Sequence, residues 1–277
     1  MGDRSRVYRR VLPLSALAAG ALLGLGDGTA WAGALLPERG GSPNADRIAS
    51  LYAVVLVLAA IVFAGVTVAV VFSLVRYRQR RSPVAAQVRG NMRLEIGWTV
   101  AATVLVVFIA AFSFTKFGAI EHPGRAAASP AAAAAGVGDR GRGALHIEVT
   151  GRQYIWMFKY PNGAYSYGEM VAPVGVTVDL DIVSLDVAHS WWIPKLGGKF
   201  DAIPGYVNHT WFRLERAGVF QGQCAELCGR NHANMLAQVR GVAPAAYASW
   251  VARQKRLIAA ANQTAAREHQ QAPPARP

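Results

Sequence analysis

Cys224 and Cys228 are the only two cysteines among 277 residues, and both fall in the stretch QCAELCGRNHANM, Gln223 to Met235. Glu226 lies between them, with His232 and Met235 just behind. Three chemistries compete for such a set. A disulfide is the simplest use of two cysteines in an oxidising compartment, but so short a loop gains little from closure and His232 and Met235 go unused. Structural zinc would need His232 and one distant histidine to close a tetrahedron. Copper favours soft thiolate and thioether donors, and a weak axial methionine beside His and Cys suits electron transfer. Met235 therefore tips the reading toward copper, because zinc gains little from a thioether.

A second imidazole has to come from another element. His189 in SLDVAHSWWIP is the best placed, directly after an alternating strand; His122 and His146 lie near a linker, His209 on a strand and His269 in the tail. With His189 the set holds two thiolates, two imidazoles and a thioether, more than one four-coordinate metal requires. Two thiolates can each bridge a pair of coppers, with one histidine per metal, Met235 as a weak ligand and the Glu226 main-chain carbonyl completing the set.

The residues that position this loop read as short strands. LHIEVT, RQYIWMFKY, GVTVDLDIVS, HTWFRLERAG and MLAQVRGV are rich in β-branched and aromatic residues, with Gly, Pro and Asn between them. Residues 145–243 are thus expected to form an all-β sandwich or barrel. Trp156, Trp191, Trp192 and Trp211 are expected in its core. Pro244 opens a predicted C-terminal helix over 244–262, and 263–277 reads as a disordered tail.

Ahead of this domain the texture is different. Ile48–Val75 and Ile96–Thr115 carry no charge, and each is about as long as, or longer than, the ~20 residues a helix needs to cross hydrocarbon. They predict a transmembrane hairpin over 46–117, with spans near 48–75 and 96–117. The intervening loop, 76–94, holds several arginines and its first acid only at its border, which places it in the cytoplasm. The Ala/Gly/Pro-rich stretch 118–144 reads as a linker. At the start, arginines followed by an apolar core and Ala30-Trp31-Ala32 form the grammar of a signal peptide over 1–32, cleaved near Gly33. The net charge of +13 does not indicate nucleic acid. From Leu145 to Trp250 eight Lys/Arg face eight Asp/Glu, so the excess sits in the leader, the cytoplasmic loop and the tail.

CAELCGRNHANM resembles the binuclear copper (CuA) motif C-x-E-x-C-G-x-x-H-x-x-M of cytochrome c oxidase subunit II. The resemblance extends in order through the two-helix anchor, GRQYIWMFKY, DVAHSWWIP, DAIPGYVNHTWF and the closing helix. It implies a cupredoxin-like Greek-key barrel outside the membrane and copper ligands at His189, Cys224, Glu226 (main-chain oxygen), Cys228, His232 and Met235. It further implies that the Glu226 side chain holds magnesium at the boundary with subunit I, that haem belongs to that partner alone, and that subunit III and cytochrome c are further partners. The location implied is a bacterial inner membrane, with lipid around the hairpin and the copper domain in the periplasm. The E-x-x-W pattern, Glu95 to Trp98, implies the cytoplasmic mouth of a proton path into subunit I. Where the family often has a surface tryptophan for electron input this chain has Tyr154, which leaves Tyr154 and Trp156 as candidates for that route. The two spans and Glu95 set the chain apart from nitrous oxide reductase, and the ligand set from quinol oxidases.

Overall fold

The computed structural model describes residues 36–77, 89–123, 130–137 and 143–271, the side chains of 269–271 excepted. The leader expected over 1–32 and the centre of the basic loop, 78–88, lie outside the described residues. The elements below all belong to one compact unit, Glu38–Pro277.

Two long helices come first, α1 (Pro43–Arg76) and α2 (Met92–Glu121). Ser42 caps α1, its hydroxyl accepting the Asn44 N–H, and Pro43 supplies the fixed φ that suits a first helical position. Asn91 caps α2 by accepting from Arg93 and Leu94. At 34 and 30 residues both exceed a membrane crossing, and no residue of either apolar window is buried. Each runs past the expected limits of 46 and 117, because the caps lie outside the charge-free runs.

Among the described residues ten strands follow: β1 (Ala144–Arg152), β2 (Ile155–Lys159), β3 (Tyr165–Tyr167), β4 (Glu169–Pro173), β5 (Thr177–Ser184), β6 (His189–Trp192), β7 (Phe200–Ala202), β8 (Asn208–Arg213), β9 (Gly218–Cys224) and β10 (Leu236–Val242). They form two five-stranded sheets, ordered β3-β2-β1-β5-β8 and β4-β10-β9-β6-β7. Pairing is antiparallel except for β1 with β5 and β10 with β4. This non-sequential order is the crossing connectivity of the expected cupredoxin-like barrel. Alternation decides which face each residue joins. Leu145, Ile147 and Val149 on β1, and Val178, Leu180 and Ile182 on β5, point into the core between the sheets. Trp156, Trp191 and Trp211 are buried as expected, while Trp192 is only half-buried.

Two expectations need correction. The stretch 118–144 is not linker throughout: α2 continues to Glu121, and Pro130–Ala134 forms a short helix, α3, whose Ala132, with Ala135 just after it, joins the barrel core. Alanine leaves no apolar stripe to read, yet its methyl is small enough to pack closely. The C-terminal helix, α4, runs from Pro244 to Gln271 rather than stopping at 262. Residues 263–271 contain no Gly or Pro to stop the helix, so polarity alone misread them as disordered; the rest of the expected tail, 272–277, lies outside the described residues.

Hairpin and barrel meet at one junction. The Asn44 amide donates to the Trp211 carbonyl at 3.3 Å, and the Trp211 indole donates to the Ile120 carbonyl at 2.9 Å. The Arg213 N–H reaches the same Ser42 hydroxyl that caps α1, at 3.2 Å. Both ends of the hairpin therefore lie beside the barrel, with Arg76 and Met92 at the far end.

A candidate metal centre between strand ends

The centre forms where β6 starts, β9 ends and the following loop returns to β10. Cys224 is the last residue of β9, paired with Trp191 of β6, and its N–H donates to the Met235 carbonyl at 2.9 Å. That bond closes the loop at its neck. The Ala225 N–H donates to the Ser190 carbonyl at 2.9 Å, and a single 3-10 turn, His232–Asn234, brings His232 back over the sulfurs. His189, Cys224, Cys228 and Met235 are buried; His232 is half-buried.

The donor atoms converge. The two Sγ atoms stand 3.9 Å apart, far beyond the ~2.05 Å of a disulfide, and both cysteines are free. His189 Nδ1 lies 3.8 Å from the Cys224 sulfur and His232 Nδ1 lies 3.6 Å from that of Cys228. Met235 Sδ is 3.8 Å from Cys228 Sγ, and the Glu226 carbonyl oxygen is 3.3 Å from Cys224 Sγ. His189, Cys224 and Cys228 alone form a group whose donor atoms lie within 4.8 Å of one another. Burial pushes the Cys228 thiol up to about 11, and the neighbouring Cys224 sulfur adds to the rise. Two sulfurs so close and so dry call for a cation, which would displace their protons. The donor set fits a soft metal.

Residues outside the expected set hold these donor side chains in place. His189 Nε2 lies 2.9 Å from Asp186 Oδ1, which leaves Nδ1 facing sulfur. Burial acts to raise the Asp186 carboxyl, but hydrogen bonds from the Gln153 N–H, the His189 ring and the Val187 N–H outweigh it and bring it down to about 2. Gln153 also donates its side-chain amide to the Cys228 carbonyl. Gly229, at φ +131°, makes room: a Cβ there would stand 2.6 Å from the Tyr154 hydroxyl and 2.8 Å from the Gln153 amide. Trp156 packs edge-on against His189 with ring centroids 5.8 Å apart. The spacing Asp186 to His189 was the visible sequence signal for the first of these contacts. Nothing local pointed to Gln153.

Other expected residues lie elsewhere. Tyr154, half-buried, touches the loop through its hydroxyl beside Gly229. The Glu226 side chain is exposed. Glu95 sits in the first turn of α2, at the far end of the hairpin, where its Oε1 accepts the Asn91 N–H at 3.3 Å.

Comparison with known proteins agrees with this architecture. Residues 164–242 match the family model "Cytochrome C oxidase subunit II, periplasmic domain", and residues 30–115 match its "transmembrane domain" counterpart. Cytochrome c oxidase subunit 2 of Alkalihalophilus pseudofirmus is 38% identical over 71% of this chain and 56% of its own length. The protein of the same name from Cereibacter sphaeroides is 32% identical over 76% of this chain and 77% of its own. The crystal structure of the periplasmic domain of subunit II of cytochrome oxidase from Bradyrhizobium japonicum is 36% identical, covering 40% of this chain and 94% of that one, with a TM-score of 0.40. With both halves matched in order around a buried His/Cys/Cys group, the chain belongs to the cytochrome c oxidase subunit II family.

Proposed function

We propose that this chain is the electron-input subunit of a respiratory cytochrome c oxidase, holding a binuclear copper (CuA) centre. One observation carries the reading: two buried, unlinked thiols 3.9 Å apart, flanked by two imidazoles, a thioether and a main-chain carbonyl. The ligands would be His189, Cys224, Glu226 through its carbonyl, Cys228, His232 and Met235. When bound, such a pair of coppers supplies one-electron storage shared between both metals. The protein's part is to keep the donors fixed. Asp186 fixes the His189 ring, the Cys224–Met235 backbone bond fixes the loop neck, and Gln153 fixes the Cys228 peptide. Ligands that do not move between oxidation states keep reorganisation small.

In this reading cytochrome c delivers electrons near Tyr154 or Trp156. Subunit I holds the haem, reduces oxygen to water and moves protons, with Glu95 at the cytoplasmic mouth of one proton path. Subunit III completes the complex, and the exposed Glu226 carboxylate would bind magnesium at the subunit I boundary. The hairpin would lie in a bacterial inner membrane, with the barrel in the periplasm and residues 1–32 removed as a signal peptide. Metal analysis and spectroscopy of the full chain after anaerobic reconstitution test this. Two coppers per chain with a purple, mixed-valence spectrum are expected. One zinc per chain, retained in the presence of excess copper, would overturn it.

A further inference from the structure

The outer face of the β3-β2-β1-β5-β8 sheet carries a second cluster of metal-ligating side chains. Alternation along β1 and β5 sends Leu145, Ile147, Leu180 and Ile182 inward, so His146 and Asp181 point out. On β8, His209 stands directly opposite Asp181 in the ladder. The Asp181 carboxylate thereby lies between two imidazoles: His146 Nε2 is 3.0 Å from Oδ2, and His209 Nδ1 is 2.6 Å from Oδ1. The three come from three adjacent strands whose backbones are held in register on both sides of β5. Two further carboxylates share this face: Asp179, directly opposite His146 in the β1–β5 ladder, and Glu148, opposite Asp181 and paired with Lys159 at 3.4 Å.

We propose that His146, Asp181 and His209 form a surface site for a divalent transition-metal ion of the zinc type, separate from the thiolate centre. The donor chemistry selects the class of ion. Two imidazoles and one carboxylate suit zinc, nickel or cupric ions, whereas calcium and magnesium prefer oxygen alone and cuprous copper prefers sulfur. One carboxylate also leaves a charge that a divalent cation compensates. The thiolate centre is the group whose donor atoms already converge; the outer triad is open, each ring meeting a different oxygen. An ion would replace the two ring-to-carboxylate hydrogen bonds, each donor turning to face it at the ~2.0–2.2 Å of coordination. His146 and His209 side chains are 52% and 73% exposed, so packing does not oppose that swing. Binding would tie β8 to β1 across β5. Trp211, two residues along β8 and on the same face as His209, is where the hairpin grips the barrel, so the ion would stiffen the strand that carries the anchor.

The test is a zinc titration of the copper-loaded full chain in detergent, followed calorimetrically, with the thiolate centre already filled. One zinc per chain is expected, and His146→Ala and His209→Ala should each weaken it by at least about tenfold, as expected for loss of a ligand contact. The absorbance of the copper centre should stay unchanged in both variants, showing that the barrel is intact. At any given zinc concentration the Tm of the parent chain should rise by more than that of either variant. Absence of a zinc equivalent in the parent, or undiminished binding in either variant, would overturn the proposal.

Discussion

The side-chain amide of Gln153 donates to the main-chain carbonyl of Cys228 at 2.5 Å, while the Gln153 N–H donates to Asp186 Oδ2 at 2.8 Å. Asp186 in turn holds His189 through its other oxygen. One residue in the turn between β1 and β2 thus braces both flanks of the centre, the histidine side and the cysteine loop. Gln153→Ala removes one brace and keeps the other. Copper affinity should fall by roughly 10- to 100-fold, the usual cost of an outer-shell contact, with an altered spectrum. Equilibrium dialysis against a copper chelator measures the first. Affinity equal to the parent would show that the loop needs no such support.

Removing ligands should separate holding from tuning. Cys224→Ser or Cys228→Ser should abolish the delocalised spectrum, because the two sulfurs, 3.9 Å apart, link the His189 side of the site to the His232 side. Met235→Leu keeps the buried volume and should retain copper with a shifted midpoint potential, since a weak axial donor tunes more than it holds. Redox titration of the Met235→Leu chain is the measurement. Complete loss of copper there would make Met235 a principal ligand.

Ser42 serves two partners, capping α1 and accepting the Arg213 N–H of β8. Ser42→Ala should cost about 1–2 kcal/mol, a typical cap loss, with an added penalty because Ser42 is fully buried and its partners cannot turn to water. The loss should appear as a lower Tm with unchanged copper content. An unchanged Tm would mean the junction contributes nothing to folding stability.

Glu95→Gln keeps an oxygen to accept the Asn91 N–H, so the start of α2 should survive. It removes the ionisable proton. Copper loading should be unaffected, whereas oxygen consumption by the assembled enzyme should fall by roughly ten- to a hundredfold if this carboxyl passes protons. Full turnover would leave Glu95 with the cap as its whole role.

How far the sequence revealed this molecule depended on residue type. Hydrophobic length sufficed for the hairpin, and strict alternation sufficed for β5. Strand β9, GVFQGQC, escaped notice because its glycines and glutamines carry no strand preference; it is set by pairing with β10 and β6. Glycine there is required by approach: a Cβ on Gly222 would collide with the Trp192 carbonyl. At the centre, Cys, His and Met announced themselves by chemistry and spacing. Asp186 offered only its spacing to His189, and Gln153 offered nothing, because its role arises only when the β1–β2 turn folds against two distant loops.

Asp186 is committed to His189, Gln153 and Val187. Lys159 is paired with Glu148 at 3.4 Å, which removes one more carboxylate from service. Around the loop, Leu185, Val187 and Leu227 are exposed instead. Opposite charges speed encounter and salt screens them, so a face with few free carboxylates should show little of either effect. Electron transfer from a basic cytochrome c is therefore expected to be slow and nearly flat against ionic strength, with docking governed by apolar contact. A donor tethered to the membrane suits such a face, since tethering supplies the local concentration that attraction does not. Lys159→Glu frees Glu148 and changes the local charge by two. It should raise the rate with a basic cytochrome c at low salt and restore a falling salt dependence. Stopped-flow reduction of the copper centre across a salt series measures both. A steep loss of rate with salt in the parent chain would show an acidic docking ring and overturn the neutral-face reading.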